Sequence, residues 1–371
     1  MTPITHNIGI LGAGQLGRML AMAGYPLGQK FGFYGFSKDE PSALLGHMFT
    51  HEDETDTLEA LIDWAEIVTY ESENTDLAVV RRIEAAGVPV YPGPDSLYYS
   101  QHRGREKSLF RELDIPTASF EVVDSLEALQ RAIKVIGTPS ILKTTTEGYD
   151  GKGQYRLQSP ADAEAAWQAI GEREAILEGF VAFRRELSII AVRGKDGEMV
   201  FYPLVENQHH KGILRLTLAP AEAIDPAIQQ AAQDYMRRLM TRLDHVGVLT
   251  LELFETDVGL VANEMAPRVH NSGHWTIEGA QTSQFENHIR AITGLPLGST
   301  QPLTSWCAMV NIIGETGHIK DALRLPGVHV HLYDKTERPG RKLGHLNVVA
   351  HSAWAREQAL AALAPFLPAG G

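Results

Sequence analysis

The chain opens with a short apolar run, Asn7-Ile8-Gly9-Ile10-Leu11, followed at once by the glycine turn Gly12-Ala13-Gly14-Gln15-Leu16-Gly17-Arg18 and a helix-like stretch to Ala23. A strand, a tight turn and a helix in that order begin an α/β unit. Further apolar runs at 31–34, 66–70 and 88–91 alternate with helical patterns at 55–65 and 76–86, which predicts a parallel sheet with helices on its faces. Tyr91-Pro92-Gly93-Pro94 breaks regular structure, so the first boundary is expected between there and residue 103. A helix over about 101–113 leads into a more strand-rich stretch, with strands expected at 140–143, 175–178, 186–192 and 199–205. The last two are joined at Gly194-Lys195-Asp196-Gly197, where the Asp-Gly turn favours an antiparallel hairpin. Asp225-Pro226 supplies an N-cap and a first-turn proline for an amphipathic helix that buries Ile228, Ala232, Tyr235, Leu239 and Leu243. Strands at 246–254 and 259–264 come next, and a small mixed region from about residue 301 ends in a helix near 354–366. The pattern divides the chain into 1–103, 104–300 and 301–371.

A length of 371 residues suits two or three small domains around separate cores. Lys plus Arg number 33 against 46 Asp plus Glu, a formal charge of -13, which argues against a protein that binds by neutralising nucleic-acid phosphates. With neither a secretory-type leader nor an apolar run of bilayer length, a cytoplasmic chain with no membrane partner is expected. The single cysteine, Cys307, leaves no intrachain disulfide and no thiolate metal cluster, and reads as a small buried hydrophobe.

Five stretches carry chemistry. Gly12, Gly14 and Gly17 allow close backbone approach to a phosphate at a helix N-terminus, and Asp39 or Glu40 follows at a distance suited to a ribose contact. Lys143 ends an apolar strand and precedes the glycine-rich run Gly148-Tyr149-Asp150-Gly151-Lys152-Gly153-Gln154; two lysines bracketing such a loop suit a flap over a polyphosphate, though without a Walker ending. Glu252 and Glu264 are symmetric about Val258, so an antiparallel hairpin turning there sets them opposite one another. Two facing carboxylates repel unless a cation lies between them, and oxygen ligands of this kind, with Asn263 adjacent, suit magnesium. Finally, Arg268-Val269-His270-Asn271-Ser272-Gly273-His274 has the polar density of a substrate-reading loop, and Lys335, Arg338, Arg341, Lys342 and His345 form a basic cluster in an acidic chain.

Taken in order, the glycine turn, the 148–154 loop and the run from Asn263 to His274 resemble the ATP-grasp superfamily, and within it the 5-(carboxyamino)imidazole ribonucleotide synthase family, over almost the whole chain as far as Gly340-Arg341-Lys342-Leu343-Gly344-His345. The resemblance implies a mixed α/β and α+β architecture: an N-terminal Rossmann-like domain, an ATP-grasp domain with its lid at 148–154, and a small C-terminal domain. It implies ATP- and bicarbonate-dependent carboxylation of 5-aminoimidazole ribonucleotide through carboxyphosphate in purine biosynthesis, with Mg2+ and a homodimeric state. It places ATP at Arg103, Lys143, Gly148, Tyr149, Asp150, Gly151, Lys152, Gly153, Gln154, Glu178, Gly179, Phe180, Val181, Glu186, His209, Asn263 and Glu264, and metal at Glu252 and Glu264. Arg268, His270 and Lys342 would act on bicarbonate and the new carbamate; Gln15, Glu73, Asn271, Lys335 and Arg341 would hold the nucleotide. Two departures stand out: Thr144-Thr145-Thr146-Glu147 lacks an arginine and a further glycine, and His102 stands where an aspartate is common. Rival readings are a nicotinamide-dependent oxidoreductase, carried only by the glycine turn and Asp39, a formate-using sister ligase, and a nucleotide sensor.

Overall fold

The computed structural model describes residues 4–50, 57–146, 153–304 and 306–368. The opening pattern folds as a four-stranded parallel sheet in the order His47–Thr50, Lys30–Gly35, Asn7–Leu11, Ile67–Tyr70. Ile8, Ile10, Phe33 and Val68 are fully buried because helices cover both faces, as continuous apolar strands require. The run at 88–91 contributes only a single parallel bridge, Val68 to Val90, rather than a strand. The Pro92-Gly93-Pro94 stretch expected to break structure instead starts the helix Pro94–Ser100, since proline is favoured in a first helical turn where its missing N–H costs nothing.

A small antiparallel sheet follows, ordered Phe120–Val123, Ala175–Gly179, Ser140–Thr144, Gln154–Leu157. The largest sheet runs Gly259–Ala266, Gly247–Thr256, Arg185–Arg193, Val205–His210, Ile213–Ala219, Trp306–Ile313, Lys342–Ala350, Val328–Leu332, with Met199–Phe201 pairing on Arg185–Arg193 through the expected Asp-Gly hairpin. The strand expected over 199–205 is therefore two strands, interrupted at Tyr202-Pro203. The last three strands of the chain join this sheet edge to edge through Ile213–Ala219, so the C-terminal segment is hydrogen-bonded to the central body.

Asp225 caps the helix Pro226–Arg242 through Ala227 N, and Ala232, Leu239 and Leu243 are buried as expected, with Ile228 and Tyr235 packed at the margin. Cys307 is buried. Among the described residues no helix is long and apolar enough to cross a membrane.

Candidate active site

A cavity of about 700 Å³ lies where the three sheets meet. Gln15, Glu71 and Glu73 reach it from the N-terminal unit, Ile141, Lys143 and Gln154 from the small sheet, Glu186, His209, Glu252 and Glu264 from the large sheet, and Tyr333 and Lys342 from the C-terminal segment. Arg103, Asn263, Arg268, His270, Asn271 and His274 complete its polar wall, while Phe183 and Phe254, stacked with centroids 4.6 Å apart, supply an apolar one.

Glu252 and Glu264 are direct cross-strand partners, but by a different route from simple symmetry. The hairpin turns at Asp257-Val258 with Thr256 opposite Gly259, a register that would set Asn263 against Glu252; a bulge leaves Asn263 without a ladder partner and restores Glu264 to that place. Burial raises Glu252 to about 7, and the charge of Glu264 adds to it. Burial would raise Glu264 too, but Arg103, hydrogen-bonded to it at 2.8 Å, holds it low. Two carboxylates and an amide converge here, a hard-oxygen set that leaves the remaining positions of a Mg2+ ion for water and phosphate oxygens; the donors fit such an ion.

Arg268 pairs with Glu73, and against burial it holds that carboxyl down at about 2. Burial, followed by Arg268, lowers His270 to about 3, so His270 is neutral; its Nε2 lies 3.4 Å from Glu252 Oε1. His209 Nδ1 lies 2.7 Å from Glu186 Oε2. Lys143 is hydrogen-bonded to Glu178 at 3.0 Å.

Not every expected residue lines the cavity. Glu178 is buried below it between Lys143 and Lys107, 3.6 Å away, and Phe180 turns outward under Arg156; Gly179 and Val181 line none of it. Lys335 instead bridges to Gln15, and Arg341 is tied to Thr336 at 2.8 Å. Gly153 adopts φ +67 and accepts Thr144 N. Gly148, Tyr149, Asp150, Gly151 and Lys152 lie outside the described residues, as does Glu147.

Several site groups carried no signal in the sequence. Glu71 closes the glycine turn: its two oxygens accept from Gly14 N at 2.6 Å and Gly17 N at 2.7 Å. The helix N-terminus that a dinucleotide phosphate would need is thus satisfied by a carboxylate of the chain itself, which removes the basis of the oxidoreductase reading. Glu106, buried and accepting from Met265 N at 2.6 Å, is raised to about 8 by burial and by Glu264. His102 does an aspartate's work: its Nδ1 accepts from Gly104 N and Arg105 N to cap the helix Arg103–Glu112, while Nε2 meets Glu174 at 2.7 Å.

A small antiparallel sheet facing a larger one, with a lysine and paired carboxylates lining the cavity between them, defines an ATP-grasp carboxylate-amine ligase. Three family models match in succession: the ribonucleotide synthetase preATP-grasp domain at 5–101, the ATP-grasp domain at 108–285, and the phosphoribosylaminoimidazole carboxylase C-terminal domain at 307–359. The N5-carboxyaminoimidazole ribonucleotide synthase of Pseudomonas aeruginosa is 48% identical over 340 residues, covering 91% of this chain and 93% of that protein. The chain belongs to the N5-carboxyaminoimidazole ribonucleotide synthase family. The crystal structure of the Thermus thermophilus synthetase matches with a TM-score of 0.93 at 48% identity, over 98% of this chain and 99% of that one. An Aspergillus clavatus synthase solved with ADP and 5-aminoimidazole ribonucleotide matches with a TM-score of 0.88 at 30% identity, over 98% of both chains.

Proposed function

We propose that the chain carboxylates the exocyclic amine of 5-aminoimidazole ribonucleotide with ATP and bicarbonate, by way of carboxyphosphate, releasing ADP and phosphate in purine biosynthesis. The observation that carries this reading is the meeting, in one cavity, of the Glu252 and Glu264 pair with Arg268, His270 and Lys342. Lys143 and Arg103 neutralise phosphate oxygens, Glu186 and His209 face the ribose, and Ile141, Phe183 and Phe254 offer the apolar surface for a purine ring. Glu252, Glu264 and Asn263 would hold Mg2+, which supplies charge neutralisation along the phosphates. Arg268, oriented by Glu73, grips the bicarbonate or carbamate anion; His270 faces the same place. Gln15 and Asn271 hold the ribonucleotide, joined by Lys335 and Arg341 once these exchange their contacts to Gln15 and Thr336 for its phosphate. Carboxyphosphate is short-lived in water, so a 148–154 flap closing over the cavity would precede its formation. A cytoplasmic homodimer completes the reading.

The decisive measurement is ADP release with magnesium, ATP and bicarbonate, with and without 5-aminoimidazole ribonucleotide. Release that depends on the ribonucleotide is expected; release that instead requires glycinamide ribonucleotide and formate would reassign the acceptor to the sister ligase.

A further inference from the structure

Behind His270 lies a file of buried polar side chains. Ser188, Asn207, Thr217 and Ser272 are each no more than 5% exposed, and they come from the strands Arg185–Arg193, Val205–His210 and Ile213–Ala219 and from the short turn Asn271–Gly273. Thr217 Oγ1 lies 2.9 Å from Asn207 Oδ1, Asn207 Nδ2 2.6 Å from Ser188 Oγ, Ser188 Oγ 2.8 Å from Ser272 Oγ, and Ser272 Oγ 2.8 Å from His270 Nδ1.

The polarity of this file is set at both ends. The backbone N–H of Ser272 points at His270 Nδ1 from 3.3 Å and can only donate, so Nδ1 accepts. At the far end the amide of Asn207 gives its nitrogen to Ser188 and its oxygen to the Thr217 hydroxyl. Thr217 then donates to Asn207, Asn207 to Ser188, Ser188 to Ser272 and Ser272 to His270. Every hydroxyl is satisfied in that direction, and bonds aligned head to tail reinforce one another. A neutral imidazole whose Nδ1 accepts carries its proton on Nε2, the nitrogen that faces Glu252 and the cavity.

We infer that Ser188, Asn207 and Thr217 are positioning residues that, through Ser272, lock His270 in the Nε2–H form, so that His270 meets the carboxylating anion as a hydrogen-bond donor and has no lone pair on Nε2 with which to take the amine proton. The inference rests on the proposed reaction for the identity of the anion, but its structural half does not.

Nitrogen-15 NMR of the full chain labelled at histidine, with His270→Asn used to assign the signal, reads the tautomer directly. An unprotonated Nδ1 and a protonated Nε2 are expected; a protonated Nδ1 would overturn the inference whatever the variants do. Ser188→Ala breaks the file at a fully buried side chain that does not line the cavity, although its backbone pairs with that of Glu252. It should shift the His270 signal and lower kcat about tenfold, the scale of one lost hydrogen bond, while the KM for ATP holds. Ser188→Thr should restore most of the rate. An unmoved signal and an unchanged kcat in Ser188→Ala would also overturn it. Should the tautomer be as stated while no ribonucleotide supports turnover, the proposed reaction fails and the positioning file stands.

Discussion

At the scale of single residues, the site is governed by which carboxylates keep their charge. Glu264 keeps it because Arg103 is hydrogen-bonded to it, and that charge in turn helps to raise Glu252. Glu264→Gln should therefore lower ATP turnover by about 10²-fold or more, as loss of a group serving the transition state does, with an unchanged circular dichroism spectrum; normal turnover at ordinary magnesium would refute the metal assignment. Lys342→Ala should lower ribonucleotide-dependent turnover more than it weakens ATP binding, read as kcat against the KM for ATP in steady-state assays, because Lys342 enters the cavity from the C-terminal segment and Lys143 from the small sheet. Most of the polar wall was legible in the sequence, since Arg268, His270 and Asn271 sit together in a dense motif. Glu71 was not: it reads as an ordinary polar residue after a strand, and its partners at Gly14 and Gly17 are more than fifty positions away.

Elements show the same division between local and distant causes. The helix Pro226–Arg242 was readable because its signals are adjacent: an aspartate cap, a proline, and apolar residues at helical spacing. Asp225→Ala leaves Ala227 N without its acceptor and should cost about 1 kcal/mol in urea unfolding, with turnover unaffected. The Glu252–Glu264 pairing was also readable, yet the bulge at Asn263 that produces it was not. Bulges answer to sheet twist and to what the neighbouring strand needs, neither of which a hydrophobic pattern encodes. Pro94 shows the converse error, where a residue that ends one element serves equally well to begin another.

Across the whole molecule, two buried histidines tie the N-terminal unit to the rest. His245 meets Ser96 at 2.9 Å, and His288 meets Thr69 at 2.9 Å. Burial lowers His245 to about 4 and His288 to about 3, from an ordinary 6.5. Their folded forms refuse protons that the unfolded chain accepts, so stability is full above pH 6.5 and declines as pH falls toward 4 and then 3, by about 1.4 kcal/mol per pH unit for each histidine. Glu252 and Glu106, raised to about 7 and about 8, act in the opposite sense over the same range, so the contacts are read by difference: the urea midpoint at pH 5 relative to that at pH 7 should be higher in His288→Gln than in the parent chain, and an identical pH dependence in the two would count against these contacts. The parallel sheet was legible from alternation, but the pairing of Trp306–Ile313 with Ile213–Ala219 was not, because edge-to-edge contacts between distant strands leave no local pattern.

Gln15 and Lys335 touch although 320 positions separate them, and this has a bearing on the chain's birth. A ribosome adding about 5–20 residues per second needs roughly 20 to 70 seconds for such a chain, and the N-terminal unit can settle early in that interval. The groove it presents stays unfinished until the strand bearing Lys342 has emerged. If the proposed reaction holds, a nascent or prematurely terminated chain would lack part of the wall that shelters the acid anhydride made from ATP.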